Sequence, residues 1–205
     1  MKLIVTGIGT DVGKTVVAAI LSEALKATYW KPIQCGFEPR SDSEFISEMC
    51  SEKVTVLPER FKLKTPASPH FAASEEGVEI NLIDFDLPKV DGSLIVEGAG
   101  GLFVPINDKG DVLLDVMQRF NLPVVLVVSF YLGSINHTLM SLALLKARNM
   151  EVFGLISSGD EVESSKKAIE KTGGKFLFNI PKAAKMDASF IQAQAKLLES
   201  KLAYL

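Results

Sequence analysis

Cysteine is scarce in this chain. Its 205 residues include two, Cys35 and Cys50, which form no Cys-x-x-Cys motif and have no His pair nearby. Neither a structural zinc site nor a disulfide framework is expected from them, and a reducing compartment suits the sequence. Histidine is as rare: His70 and His137 lack metal-ligand spacing and read as structural. No apolar run approaches the ~20 residues of a membrane span. The opening stretch, Met1 to Gly9, has too short an apolar run for a leader and no small-residue cleavage site after it, so it reads as a strand running into glycines. The 22 lysines and arginines stand against 25 acids, for a net charge of −3, and no basic block interleaved with aromatics appears. Nucleic acid and membrane are therefore not expected partners, and the chain reads as soluble and cytoplasmic. Repeats, low-complexity tracts and linkers are missing too, which leaves residues 1–205 as a single domain.

What is present is apolar material, 47% of the chain, enough for a sizeable core. Short apolar runs alternate with helical patterns. Strands are expected at Leu3–Val5, Tyr29–Ile33, Ser93–Val96, Val124–Val128, Val152–Ile156 and Lys175–Ile180. Helices are expected at Val16–Ala27, Ser41–Cys50, Asn136–Ala147 and Asp187–Ala203, with residues 51–88 a connecting region holding short helices. Near-continuous Val/Ile/Leu strands imply burial on both faces. The fold class is therefore α/β, a mostly parallel twisted sheet with helices on both faces.

Between the first strand and first helix lies Gly7-Ile8-Gly9-Thr10-Asp11-Val12-Gly13-Lys14-Thr15. Strand, glycine-rich turn, Gly-Lys-Thr and helix form the context of a phosphate-binding loop, hence a P-loop NTPase fold. Ile8 stands where the strict pattern has glycine, with Gly7 and Gly9 on either side. Backbone N–H groups of Asp11 to Val16 would cradle phosphates at a positive helix end. Lys14 would reach the β- and γ-phosphates, and the Thr15 hydroxyl would face Mg²⁺. The third strand ends in Glu97-Gly98-Ala99-Gly100-Gly101. A carboxylate at the C-terminal end of a parallel strand sits where such sheets bind ligands, and the glycines permit close approach. Glu97 is thus a candidate metal ligand. Asp42 is a second candidate, though alone it reads as a helix cap.

Several pieces in order resemble the dethiobiotin synthetase family. They are the phosphate loop with Asp11 two places before Gly13, Trp30-Lys31-Pro32-Ile33, Ser41-Asp42, Ser68-Pro69-His70, Glu97 to Leu102 with Val104-Pro105-Ile106, and Leu132-Gly133-Ser134-Ile135-Asn136-His137. The resemblance implies ATP-dependent closure of a ureido ring on 7,8-diaminopelargonate and CO₂, with Mg²⁺ and a homodimer. It implies Lys31 as the catalytic lysine, with Lys14 sharing the load, and Thr15, Asp42 and Glu97 around Mg²⁺. Nucleotide contacts would extend over Asp11, Val12, Gly13, Lys14, Thr15, Val16, Asp42, Glu97, Gly98, Ala99 and Gly100, with Pro181, Lys182 and Ala183 beside the base. Lys31, Cys35 and the helix start at Gly133, Ser134, Ile135 and Asn136 would meet the substrate, the last four across the dimer interface.

Two departures stand out. Cys35 replaces the family's Ser or Thr, and a thiol donates more weakly. Ser158 aligns with the Asn that pairs with adenine, and it cannot offer that amide's donor and acceptor together, which implies relaxed nucleotide choice. The rival reading is an ATPase switch of the partitioning type acting on a partner or membrane. Such switches carry an extra lysine early in the loop, and none lies between Thr6 and Val12.

Overall fold

The computed structural model describes residues 1–202. Seven parallel strands form one sheet in the order β4-β2-β6-β1-β7-β8-β9. They are β1 (Lys2–Gly7), β2 (Thr28–Trp30), β4 (Thr55–Leu57), β6 (Leu94–Glu97), β7 (Val124–Val128), β8 (Val152–Ser158) and β9 (Phe176–Ile180). A second, two-stranded parallel sheet pairs β3 (Ile33–Cys35) with β5 (Phe61–Leu63). The helices are α1 (Lys14–Leu25), α2 (Asp42–Met49), α3 (Pro69–Glu75), α4 (Leu113–Phe120), α5 (Ser134–Ala147), α6 (Glu163–Lys171) and α7 (Ala188–Leu202).

Every residue of β7 is buried. Val125 and Val127 pack toward α1 and α7, whereas Leu126 and Val128 pack toward α5 and α6. That two-sided burial is why an unbroken aliphatic run works here as a strand. Helices α1, α2 and α7 cover one face, and α3 to α6 the other. The chain runs from β1 out to β2 and β4, returns at β6, then crosses to β7 and beyond. Ligands in doubly wound sheets sit outside the carboxyl ends of the strands at such a reversal.

Several expected boundaries shift. The run Tyr29–Ile33 is two strands, because Lys31 and Pro32 leave the main sheet and the chain re-enters a different one at Ile33. Proline cannot donate to a ladder, and its carbonyl instead accepts from the N–H groups of Arg60 and Phe61, each at 3.0 Å. Residues 51–88 hold two strands, α3 and a short 3₁₀ turn at Leu82–Asp84. Helix α1 starts at Lys14 rather than Val16, and α5 at Ser134 rather than Asn136. Helices α4 and α6 were not expected. Ala203, the expected last residue of the closing helix, lies outside the described residues.

Candidate active site

The loop after β1 is held by close packing. Gly13, with φ of 90°, sits at the start of α1, and a Cβ there would lie 2.4 Å from Ser158 Oγ. Only glycine meets both conditions. Asp11 also takes a left-handed backbone, with φ of 56°, a conformation Asp tolerates better than most residues. The Lys14 side chain folds back over the loop and donates to Gly9 O at 2.8 Å. Burial lowers the Lys14 pKa, with Glu97 opposing.

Glu97 closes β6 with its side chain fully buried. Its Oε1 accepts from Thr15 Oγ1 at 2.9 Å and from Lys31 Nζ at 3.1 Å, and its Oε2 accepts from the Tyr29 hydroxyl at 2.8 Å. Lys31, at the break between the two sheets, also donates to Asp42. Burial alone would lower the Lys31 pKa, but Glu97 and Asp42 together outweigh it, and the net direction is upward. Lys31 is therefore an ammonium and not a base at neutral pH. Burial, reinforced by Glu97, raises the Tyr29 phenol well above its usual range, so its hydroxyl remains a donor.

Helix α2 explains why Asp42 is available. Ser41 is the cap: its side chain accepts from Glu44 N at 3.2 Å, and Ser41 N donates to Glu44 Oε2 at 2.7 Å. With that capping box complete, Asp42 is not needed as a cap and its carboxylate turns to Lys31. Gln34, buried on β3, fixes the same corner. Its Oε1 accepts from Asp42 N at 3.2 Å and its Nε2 donates to Gly36 O at 2.7 Å.

Lys14, Thr15, Lys31, Gln34, Asp42 and Glu97 face one cleft of about 720 Å³. The two carboxylates, already gathered around one cation in Lys31, and the Thr15 hydroxyl bonded to Glu97 form a set of hard oxygen donors that suits a small divalent cation. Among the described residues no group of three or more His, Cys, Asp or Glu is placed to hold a metal ion. Two carboxylates and a hydroxyl leave room for phosphate oxygens and water as further ligands.

Sequence relatives decide the family. A protein of Christiangramia forsetii named ATP-dependent dethiobiotin synthetase is 48% identical over 173 residues, covering 82% of this chain and 81% of its own. Proteins of the same name from Cytophaga hutchinsonii and Rhodopseudomonas palustris are 44% and 42% identical, covering 95% of this chain and 95% and 94% of theirs. The chain belongs to the dethiobiotin synthetase family. The family model described as an AAA domain matches residues 1–189. A plasmid partition protein from Borrelia burgdorferi bound to AMPPNP superposes with a TM-score of 0.62 at 12% identity, covering 99% of this chain and 98% of its own. The Pyrococcus furiosus cell division ATPase MinD gives 0.58 at 13%, with 99% and 98% covered. At such identities the likeness is one of fold, the P-loop NTPase fold expected from the first loop.

Within this dethiobiotin synthetase family chain, Asp11, Gly13, Lys14, Thr15, Val16, Lys31, Cys35, Asp42, Glu97, Ala99 and Gly100 all line the cleft. Val12 and Gly98 do not. Val12 is a core residue packed on Gly7, and Gly98 lies against Met117 and Leu113. Pro181, Lys182 and Ala183 follow β9 at the same edge of the sheet, outside the cleft lining. Gly133, Ser134, Ile135 and Asn136 begin α5 after β7, and they too lie outside it. Cys35 is a poor nucleophile, because burial pushes its thiol up to about 11.

Several cleft residues went unassigned in the sequence, among them Thr10, Gln34, Ser68 and Pro69. Thr10, Ser68 and Pro69 lie inside motifs already quoted and Gln34 directly follows one, which was the available signal. His70 accepts or donates at Ser68 Oγ, 3.0 Å away, and His137 pairs with the Tyr131 hydroxyl at 2.8 Å.

Proposed function

We propose that this chain closes the ureido ring of dethiobiotin from 7,8-diaminopelargonate, CO₂ and ATP, releasing ADP and phosphate. Family membership supports the reaction. The observation that carries the site assignment is Lys31, an ammonium held between Asp42 and Glu97 in a cleft shared with Lys14 and Thr15.

One substrate amine adds to CO₂ and loses a proton, giving a carbamate. A carbamate oxygen then attacks the γ-phosphorus and ADP departs. The second amine attacks the activated carbonyl carbon, and phosphate leaves as the ring closes. Each step gathers negative charge, so the site needs cations and inward N–H groups more than a base. Lys14 and the N–H groups at the start of α1 hold the phosphates. Lys31, kept protonated by its two carboxylates, stabilises the carbamate and the phosphoryl group in flight. Mg²⁺, held by Thr15, Asp42 and Glu97, would supply charge neutralisation at the β- and γ-oxygens. The backbone from Asp11 to Val16 cradles the phosphates, with the Val12 side chain turned into the core, Ala99 and Gly100 close the nucleotide pocket while Gly98 packs on Met117 and Leu113, and Pro181, Lys182 and Ala183 border the base. Cys35 contacts the substrate as a neutral thiol.

The start of α5 completes the neighbouring subunit's site in our reading. Leu132 is fully exposed and Tyr131 and Met140 are exposed, which leaves an apolar face beside Gly133 to Asn136. A homodimer would cover that face and bring the N–H groups of α5 to the substrate's tail carboxylate. We take residues 1–205 as one functional unit working in the cytoplasm. No helix among the described residues is long and apolar enough to cross a membrane.

Ring product and phosphate are to be followed together with diamine, bicarbonate, Mg²⁺ and ATP, with Lys31→Ala as control. Product that requires both diamine and Lys31 supports the reading. Phosphate release indifferent to diamine overturns it. Light scattering on the same preparation reports the dimer.

A further inference from the structure

Tyr29 lies beneath the cleft and not in it. It is fully buried on β2, paired in register with Ile95 of the neighbouring β6, among the core residues on the α1 side. Its hydroxyl donates to Glu97 Oε2 at 2.8 Å, while Thr15 and Lys31 both meet Oε1. The two oxygens of Glu97 therefore have separate duties. Oε1 points at the groups of the cleft, and Oε2 is tied into the core.

We infer that Tyr29 is a positioning residue that holds Glu97 to a single cleft-facing oxygen and so makes the site select Mg²⁺ over Ca²⁺. The inference rests on the cation site proposed above at Thr15, Asp42 and Glu97. With Oε2 turned to the buried Tyr29 hydroxyl and Oε1 meeting the groups of the cleft, Glu97 presents one oxygen, Oε1, to a cation bound there. Mg²⁺ takes one oxygen per carboxylate in a tight octahedron and keeps its waters. Ca²⁺ is larger, tolerates more ligands and uses bidentate carboxylates readily. An outer hydroxyl that fixes a ligand's rotamer typically changes metal affinity by about 10–100-fold when removed. Here it would also remove the barrier to bidentate binding, so the two cations should respond differently. A residue that served packing alone would move both together.

The test uses the full chain and a non-hydrolysable ATP analogue, β,γ-imido-ATP, titrated by calorimetry with EDTA, with Mg²⁺ and with Ca²⁺. Tyr29→Phe keeps the ring and deletes the hydroxyl. The expected result is about tenfold weaker binding of the Mg²⁺ complex, a smaller loss for the Ca²⁺ complex, and a selectivity ratio at least about fivefold lower. Binding in EDTA should not change, which also certifies that the variant is folded. Glu97→Asp, which draws the second oxygen back from the Tyr29 hydroxyl, is the second route and should lower the same ratio. Wild-type selectivity retained in both variants overturns the inference. A wild-type chain that binds the analogue equally in EDTA, Mg²⁺ and Ca²⁺ overturns the cation site itself.

Discussion

Lys31 Nζ lies 3.1 Å from Glu97 Oε1, and both side chains are shut away from solvent. A buried carboxylate with its cation removed is costly, on the order of 3–5 kcal/mol. Lys31→Met should therefore lower stability by an amount of that order and cut ring formation by at least about a hundredfold. Urea unfolding and product formation, measured on the same preparation, separate the two effects. A variant of native stability and activity would remove Lys31 from the chemistry.

Gly13→Ala meets two obstacles, the left-handed φ of 90° and a Cβ 2.4 Å from Ser158 Oγ. The backbone term alone is worth about 1–3 kcal/mol. Thermal unfolding should fall accordingly, and nucleotide affinity should fall with it. Adding Ser158→Gly should restore part of the loss, because it clears the contact but leaves the backbone conformation.

Both thiols are pushed up by burial, Cys35 to about 11 and Cys50 to about 12. At pH 7.5 neither should react quickly with iodoacetamide. The folded chain keeps these protons where the unfolded chain, with ordinary thiols near 9, has already lost them. The resulting stability is present below pH ~9 and is lost as pH rises toward 11 and 12. Melting temperature should decline across that alkaline window, and less steeply in a Cys35→Ser, Cys50→Ala double variant.

Ser158 lacks the amide that could pair with adenine. Four nucleoside triphosphates should support ring closure with kcat/KM values within about tenfold of one another, a spread of ~1.4 kcal/mol. Ser158→Asn should widen that spread in favour of ATP. A wild-type preference for ATP well beyond tenfold would place base selection elsewhere.

Gln34→Leu orphans the Asp42 N–H and the Gly36 carbonyl that Gln34 now satisfies. Leaving a buried polar group unpaired costs about 1–3 kcal/mol. Beyond stability, Asp42 loses its anchor, so the Mg²⁺ concentration for half-maximal rate should rise several-fold with little change in kcat.

How much of this was legible in sequence depended on whether a residue acts locally. Val124–Val128 could be read because a strand buried on both faces needs only consecutive aliphatics. Gly13-Lys14-Thr15 could be read because a phosphate cradle is built from contiguous backbone. Tyr29 could not, because its partner Glu97 is 68 residues away and only the sheet order brings them together. The break at Lys31-Pro32 had a signal in the proline, but the apolar residues on both sides masked it. Helix α6 is polar over most of its length, with Ile169 its buried residue, so it offers little periodicity to find.

That break has a further consequence. Lys31 and Pro32 belong to neither sheet, and Pro32 is moored to Arg60 and Phe61 at the mouth of the smaller one. The ammonium is thus mounted on a joint between two sheets that share one core, with Ile33 and Leu63 of the smaller in the same apolar cluster as Trp30 and Val96 of the larger. Changes deep in the small sheet, at Ile33 or Leu63, can detune the chemistry without touching any group that meets a substrate.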